Sequence, residues 1–338
     1  MTKTPNPVAE IGVLIYPGCQ LAAVHGLTDL FRIAGEWAAR TVSDGLPPFI
    51  RVSHWQAPED GSEVVCCWDS HPGASHRLSH VISPPSIVMP ENMVPVPAAA
   101  AWMTERHAEG STLCSVCAGA FVLAETGLIN GRRATTHWAF AAQLAARYPD
   151  IQLAEAHMVL DDGDIMTAGG ILAWTDLGLT LVERFLGPGV MLATARFLLI
   201  DPPRRSQRPF ARFVPRLDHG DAAVRRSQHH IHAHAGEPLS VAGLAALAGL
   251  GERTFLRRFL KATGLRPVDY MQQARVAKAQ EALELTTAPI DQIAWTVGYA
   301  DPAAFRKVFQ KIAGIPPNLY RQRFGINQGP VAAGGELP

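Results

Sequence analysis

The chain is 338 residues long and 48% apolar, with 30 basic and 30 acidic side chains. The length suggests about two domains, and the apolar content is ample for real cores. Nothing approaches an uninterrupted apolar run of membrane-spanning length and MTKTPNPVAE has no apolar run, so neither a transmembrane helix nor a signal peptide is expected. The expected setting is cytoplasmic, with no membrane partner.

The zero net charge hides an asymmetry. Residues 1–200 carry 11 Lys+Arg against 19 Asp+Glu, a net −8. Residues 201–224 are +2, and residues 225–338, with 14 against 8, are +6. A basic C-terminal part joined to an acidic N-terminal part fits a nucleic-acid binder fused to something else. The five cysteines are odd in number, and only CSVC (114–117) has a CxxC form, so reduced thiols rather than zinc or disulfides are expected.

In chain order, EIGVLIYP (10–17) predicts a buried strand ending in Pro-Gly, and residues 20–37 have helical periodicity. FIRVSHW (49–55) predicts a strand, GSEVVCCWDS (61–70) a hairpin segment, and HVISPPS (80–86) a strand interrupted by prolines. VISPPSIVMPENMVPVP (81–97) shapes a loop over the sheet edge rather than a phosphate site. VPAAAAWMTERHAEG (96–110) predicts a helix, STLCSV (111–116) a buried strand and AGAFVLAETGLING (118–131) a helix. RRATTH (132–137) predicts a strand and HWAFAAQLAARYP a helix. AHMVLDDGDIMTAGG predicts a hairpin around Asp162-Gly163, and ILAWTDLGLTLVERFLG (171–187) a long amphipathic helix. Strands alternating with helices imply a flavodoxin-like layered α/β domain with a mainly parallel sheet over 8–200. The turn-rich, basic stretch 201–222 is the expected linker, 223–325 an all-α domain, and 326–338 a disordered tail.

Within the first domain a strand runs straight into Cys117, and Ala118 and Gly119 permit a sharp turn into a helix. That is nucleophile-elbow geometry, with a thiol at a helix N-terminus where the dipole favours thiolate. Three readings of Cys117 stay open: a buried structural thiol, a ligand-pocket residue, or a covalent catalyst. His137, in TTHW, is either a hydrogen-bonded strand-end histidine or a neighbour of Cys117. Gln20, Cys117, Ala118 and His137 are the candidate effector-binding residues.

In the C-terminal part, residues 238–324 twice repeat a short apolar helix, a turn at glycine and a second helix with paired basic residues. This is helix-turn-helix punctuation. In the first unit Phe255 and Phe259 pin the second helix into a core, while Arg253, Leu256 and Arg257 face outward, with Leu260 on the same stripe. In the second, Phe305, Phe309 and Ile312 form the buried stripe, and Ala303, Arg306, Lys307 and Gln310 the open one. A stripe at once basic and partly apolar suits a major groove, where arginine meets guanine and phosphate and Leu or Ala meets a thymine methyl. Arg253, Leu256, Arg257, Arg258, Lys261, Ala303, Arg306, Lys307 and Lys311 are the candidate DNA-binding residues. The HHIHAH run (229–234) lacks a nearby carboxylate or cysteine and predicts a helix, not a metal site. No Walker or Rossmann fingerprint occurs, so no cofactor is expected.

LSVAGLAALAGLGERTFLRRF, ATGLRPVDYMQQARVAKA and IDQIAWTVGYADPAAFRKVFQKIAGIPPNLYRQRF resemble the DNA-binding domain of the AraC/XylS family. The resemblance implies two helix-turn-helix units joined by a rigid helix over 266–286, which sets the recognition helices about one duplex turn, roughly 34 Å, apart. SVCAGAFVLAETGLINGRRATTHW, MTAGG and LVERFLG resemble the ThiJ/PfpI, class I glutamine amidotransferase-like superfamily, over about residues 8–190. Two features of that family are missing. Ala118 stands where its proteases carry a histidine, and in PGCQLAAVHG Gln20 is followed by Ala23 at the position of an acid. The resemblance implies a DNA-binding transcription regulator, homodimeric, acting on a double-stranded operator and controlled by a small-molecule effector. Relatives of this architecture respond to small nitrogen-containing metabolites. The competing expectations are a cysteine hydrolase or hydratase with accessory DNA binding, and an architectural DNA binder.

Overall fold

The structure, a computed structural model, describes residues 7–42, 46–203 and 206–326. The expected tail beyond Ile326, and Arg204 and Arg205 of the expected linker, lie outside the described residues. The chain forms two compact units, divided in sequence between Gln207 and Arg208. Among the described residues no helix is long and apolar enough to cross a membrane.

The first unit opens with β1 (Ala9–Ile15), α1 (Leu21–Ala39), β2 (Ile50–Gln56), β3 (Val65–Asp69) and β4 (His80–Ser83). It continues through α2 (Pro97–Ala108), β5 (Thr112–Val116), α3 (Gly119–Ala124), β6 (Arg133–Ala134), α4 (Ala141–Arg147) and β7 (Gln152–Leu153). It closes with β8 (Val159–Asp161), β9 (Ile165–Ala168), α5 (Trp174–Leu186) and α6 (Pro188–Phe197). Seven strands make one sheet in the order β3-β2-β1-β4-β5-β9-β8. The central run from β2 to β9 is parallel, and β3 and β8 pair antiparallel at the two edges. The layered, mainly parallel fold is therefore as the sequence implies. In β1 every residue but Ile15 is buried, as a parallel strand covered on both faces requires. Edge strand β3 is largely exposed, Val65 and Trp68 included.

Two local expectations change. The helix expected over 118–131 stops at Ala124: the hydroxyl of Thr126 donates to Leu123 O at 2.6 Å, and Gly127 takes φ +71°. A left-handed glycine just past the last turn ends a helix. The strand expected over 132–137 is only β6, paired with β7 in a separate two-stranded sheet. Beyond it Thr135 and Thr136 spend their polar groups on side-chain bonds. The amphipathic helix expected over 171–187 is α5, ended by Gly187 (φ +86°), and α6, opened by Pro188, is a further helix that was not expected.

The second unit contains α7 (Ala222–Ala233), α8 (Val241–Ala248), α9 (Glu252–Thr263), α10 (Pro267–Leu285), α11 (Ile290–Thr296), α12 (Pro302–Ala313) and α13 (Pro317–Phe324). It has two hydrophobic cores. Phe255, Phe259, Tyr270, Met271 and Ala274 belong to the first, and Val276, Ala279, Leu283, Phe305, Phe309 and Tyr320 to the second. The cores repeat each other. Phe259 meets Tyr270 edge-on at 5.2 Å and 88°, and Phe309 meets Tyr320 edge-on at 5.4 Å and 84°. Ile312, expected in the buried stripe, is only partly buried beside the second core.

The expected linker divides between the units. Gln207 is buried in the first, with its side-chain amide hydrogen-bonded to Thr136 O, Glu155 O and His157 O at 2.8–3.0 Å. Residues after it lie along the second: Arg212 pairs with Glu284, and Phe213 meets Tyr270 at 4.9 Å.

A single close approach holds the elbow. A Cβ at Gly119 would lie 2.5 Å from both Ser83 O and Pro84 O, against backbone that has no rotamer to yield. Gly119→Ala is expected to cost about 1–3 kcal/mol as an overpacked site. The measurement is thermal melting of the full chain followed by circular dichroism. An unchanged first transition would contradict this account of the turn.

Candidate nucleic-acid interface and cysteine elbow

Helices α9 and α12 each bury one stripe and expose another. Phe255, Phe259 and Ala262 are buried on α9, and Phe305, Phe309 and Ala313 on α12. Among the sequence candidates, Arg253, Leu256, Arg257 and Lys261 are exposed on α9, and Ala303, Arg306, Lys307 and Lys311 on α12. Leu256 keeps 41% of its surface in water, so an apolar contact stands between cations on an open face. Both helices are terminated by left-handed glycines, Gly264 and Gly314, before the prolines that open α10 and α13. The Asp301 carboxylate caps α12, accepting from Ala303 N at 2.8 Å and Ala304 N at 3.1 Å.

Arg258 has a partner within the unit. Its guanidinium forks onto the Asp221 carboxylate at 2.7 and 2.8 Å, and Asp221 in turn caps α7 through Val224 N at 3.1 Å. Arg258 therefore ties α9 to the start of α7, with its guanidinium engaged by a carboxylate. Arg306 also has a partner, Asp291, but both are about half exposed (48% each). An exposed pair of this kind is weak and can yield to phosphate.

In the first unit Cys117 sits between β5 and α3 at φ +54°, a left-handed conformation for a residue with a Cβ. Such a turn is strained for a non-glycine residue, and strain of this kind clusters at functional sites. Its N–H donates to Ala168 O at 2.8 Å, and its carbonyl accepts from Thr136 Oγ1 at 2.8 Å. Around it the loops after β1 and β4 close together. Gln20 N donates to Pro85 O at 2.7 Å, and Tyr16 OH donates to Pro84 O at 2.6 Å. Strand order reverses between β1 and β4, the place where open α/β sheets form a crevice at their carboxyl ends.

That crevice is closed over the thiol. Cys117 is 1% exposed and Ala118 fully buried. Burial pushes the Cys117 thiol up to about 12, and the opposing hydrogen bond from Ala118 N–H does not restore it. The expected dipole effect loses because α3 is only six residues long and the sulfur has left water. A thiol raised so far by burial stays protonated at neutral pH.

His137 does not serve as its base. The imidazole accepts from Ala139 N at 3.1 Å and lies against the rings of Trp138 and Phe140, 5.5 and 5.0 Å between centroids. Burial lowers its pKa, which keeps it neutral. It is Thr136, one residue earlier, that reaches Cys117. Gln20 carries a buried Oε1 with no hydrogen-bond partner among the described residues. Cavities of about 440 and 300 Å³ occur elsewhere in this unit, the larger beside His25, His54 and Trp68, the smaller beside Ala100 and Glu125. Neither is lined by Gln20, Cys117, Ala118 or His137. Among the described residues no group of His, Cys, Asp or Glu is placed to hold a metal ion, and His230 and His234 stack at 4.2 Å.

Tyr16, Thr136 and Gln207 are the elbow's unforeseen neighbours. The paired prolines Pro84-Pro85 after an apolar strand were the one available signal for Tyr16, whose hydroxyl they hold. Thr136 and Gln207 make long-range contacts that no local pattern announces.

Residues 86–184 match the DJ-1/PfpI family, and residues 244–323 match a helix-turn-helix domain family. The HTH-type transcriptional regulator ArgR of Pseudomonas aeruginosa is 26% identical over 326 residues, 96% of this chain and 95% of that protein. The HTH-type transcriptional regulator GlxA of Rhizobium meliloti is 28% identical over 219 residues, 64% of this chain and 67% of that one. Isonitrile hydratase of Pseudomonas putida is 40% identical over 87 residues, 25% of this chain and 36% of the enzyme. The chain thus belongs to the AraC-type helix-turn-helix transcriptional regulators that carry an N-terminal DJ-1/PfpI domain.

Proposed function

We propose that α9 and α12 each read a major-groove segment of a duplex operator, and that a small-molecule effector taken at the Cys117 crevice controls the outcome. The observation that carries the first part is the pair of equivalent outward faces, Arg253, Leu256 and Arg257 on α9 and Ala303, Arg306 and Lys307 on α12, both fixed to α10. The +6 charge of residues 225–338 supplies attraction to phosphate without sequence preference. The regulator acts as a homodimer in this reading, as the resemblance implies.

Three features support the sensing part. The crevice lies at the reversal of strand order, Gln20 brings it a buried acceptor without a partner, and Cys117 holds a strained backbone. A hydrogen-bonded route also leaves the elbow. Thr136 Oγ1 donates to Cys117 O, Thr136 O accepts from Gln207 Nε2, and the next residue, Arg208, opens the second unit. A ligand that opened the contacts of Gln20 and Tyr16 with Pro84-Pro85 would disturb this route at its start. The relatives' names as transcriptional regulators agree with a sensor rather than an enzyme. The catalytic alternative keeps the elbow and the local similarity to isonitrile hydratase, but it has to use a protonated thiol with no base at hand.

Two outcomes are expected. Arg257→Ala costs about 1–3 kcal/mol of DNA binding and relaxes base preference in one half of the site only, and Lys307→Ala weakens the other half. Arg258→Ala lowers thermal stability and leaves base preference unchanged. Gel-shift titration against selected duplexes reads base preference in all three variants and thermal melting reads the stability of Arg258→Ala; equal loss of preference across the whole site for Arg257→Ala would contradict separate readers.

For the sensor, the probe is a panel of small amines, amino acids and betaines in thermal-shift assays of the full chain, where a binder raises the melting temperature by mass action. Cys117→Phe is expected to abolish the shift while gel-shift affinity survives, and Cys117→Ser to keep the fold. Turnover of an amide, nitrile or isocyanide lost in Cys117→Ser, with regulation unchanged, would overturn the sensor reading.

A further inference from the structure

The loop after α7 closely approaches the end of α11 and the turn that follows it, and a side chain of α10 reaches both. Arg275 Nε donates to Ala235 O at 2.8 Å and Arg275 Nη2 to Glu237 O at 2.9 Å, on the loop that follows α7. Its guanidinium carbon lies 5.4 Å from the ring centroid of Tyr299, in the turn between α11 and α12. Two glycines permit the approach. A Cβ at Gly236 would lie 2.4 Å from Thr296 O, and one at Gly298 (φ +89°) would lie 3.0 Å from Ala235 O and from the Arg275 guanidinium. A side chain on either glycine would press into this approach.

Each end of the clamp leads to a recognition helix. On one side, α7 also carries Gln228 and His232, which hydrogen-bond Tyr270 OH at 3.1 and 2.8 Å, and Tyr270 packs edge-on to Phe259 of α9. On the other, Tyr299 meets Phe305 of α12 at 5.5 Å. Arg275 itself sits where α10 changes partners, after Ala274 of the first core and before Val276 of the second. A bidentate guanidinium is suited to this, because its planar fork fixes the direction as well as the distance of the carbonyls it holds.

We propose that Arg275, seated against Gly236 and Gly298, is a positioning residue for specificity: it sets the angle between α9 and α12 and thereby the spacing of the two DNA segments the protein accepts. The inference rests on the proposed reading of DNA by both helices. Without the clamp the cores of the two units persist, each with its own aromatic set, but α10 alone fixes their relative rotation. A one-piece helix resists bending yet leaves the packing of α7 and α11 around it free to shift. The tolerance would appear as a choice of spacings and not as a loss of base preference within either segment.

The test is selection of bound duplexes from a pool randomised over more than two helical turns, using the full-length protein, Arg275→Met and Gly298→Ala. Arg275→Met keeps the apolar stem and removes the donors, whereas Gly298→Ala pushes on the guanidinium from the opposite loop. Wild type is expected to return two base blocks at one dominant spacing. Both variants are expected to return the same two blocks at several spacings, and Arg275→Lys, which can hold one carbonyl, to fall between. Circular-dichroism melting confirms which variants are folded, and Arg275→Lys provides the reading if Arg275→Met is not. One dominant spacing retained in the folded variants overturns the role of Arg275 while leaving the two readers standing. A single block in wild type overturns the two-reader reading and this inference with it.

Discussion

Helix α10 belongs to two hydrophobic cores at once, and the geometry of the second unit follows from that. Tyr270, Met271 and Ala274 bury into the core of the first helix-turn-helix, and Val276, Ala279 and Leu283 into that of the second. A surface helix with one apolar stripe packs against one neighbour, whereas a helix buried on different sides at its two ends joins neighbours that never share a core. A 19-residue helix is about 28 Å long, so α10 has the length to serve one core near its start and the other near its end. The open faces are then a consequence of the buried ones. Once Phe255 and Phe259, or Phe305 and Phe309, point at the core, the helical repeat leaves Arg257 and Lys307 with nowhere to go but water or a groove.

The first unit shows the same dependence of chemistry on packing, with the opposite sign. The elbow backbone is retained, as Cys117 at φ +54° attests, yet desolvation sets the thiol's character. A helix N-terminus lowers a thiol pKa only where water or a cation shares the work, and here Tyr16, Pro84 and Pro85 enclose the site instead. The turn thus keeps its strained backbone without an activated nucleophile, which is compatible with the proposed sensing role. Relief of that strain can be coupled to Thr136 and Gln207 without any covalent step.

Much of this was legible along the chain, and the limits have a physical cause. Phe255 and Phe259 announce a buried face because they stand four apart, and Phe305 and Phe309 repeat the signal; glycine and proline punctuation places the helix ends. The parallel sheet was legible in β1 and β5, whose apolar runs have no polar alternation to spare for solvent. Arg258 reads locally as one more cation of the recognition helix. Its partner Asp221 lies 37 residues away, and only the packing of α7 brings it near. Gln207 looks like any residue of a basic linker, because every group it bonds is distant in sequence. Cys117 was legible as a turn, but the sequence left open whether its thiol is buried or activated, because burial by distant parts of the fold decides that. Short-range pattern fixes faces and ends; long-range closure fixes charge states and pairings.

The most direct test of two readers held by one helix is a hydroxyl-radical footprint of the full-length protein on a selected duplex, combined with interference by guanine N7 methylation. The account predicts, for each chain bound, two interference blocks in successive major-groove segments on one face of the DNA, separated by about one helical turn. One block per bound chain, or two blocks on opposite faces of the duplex, would contradict it.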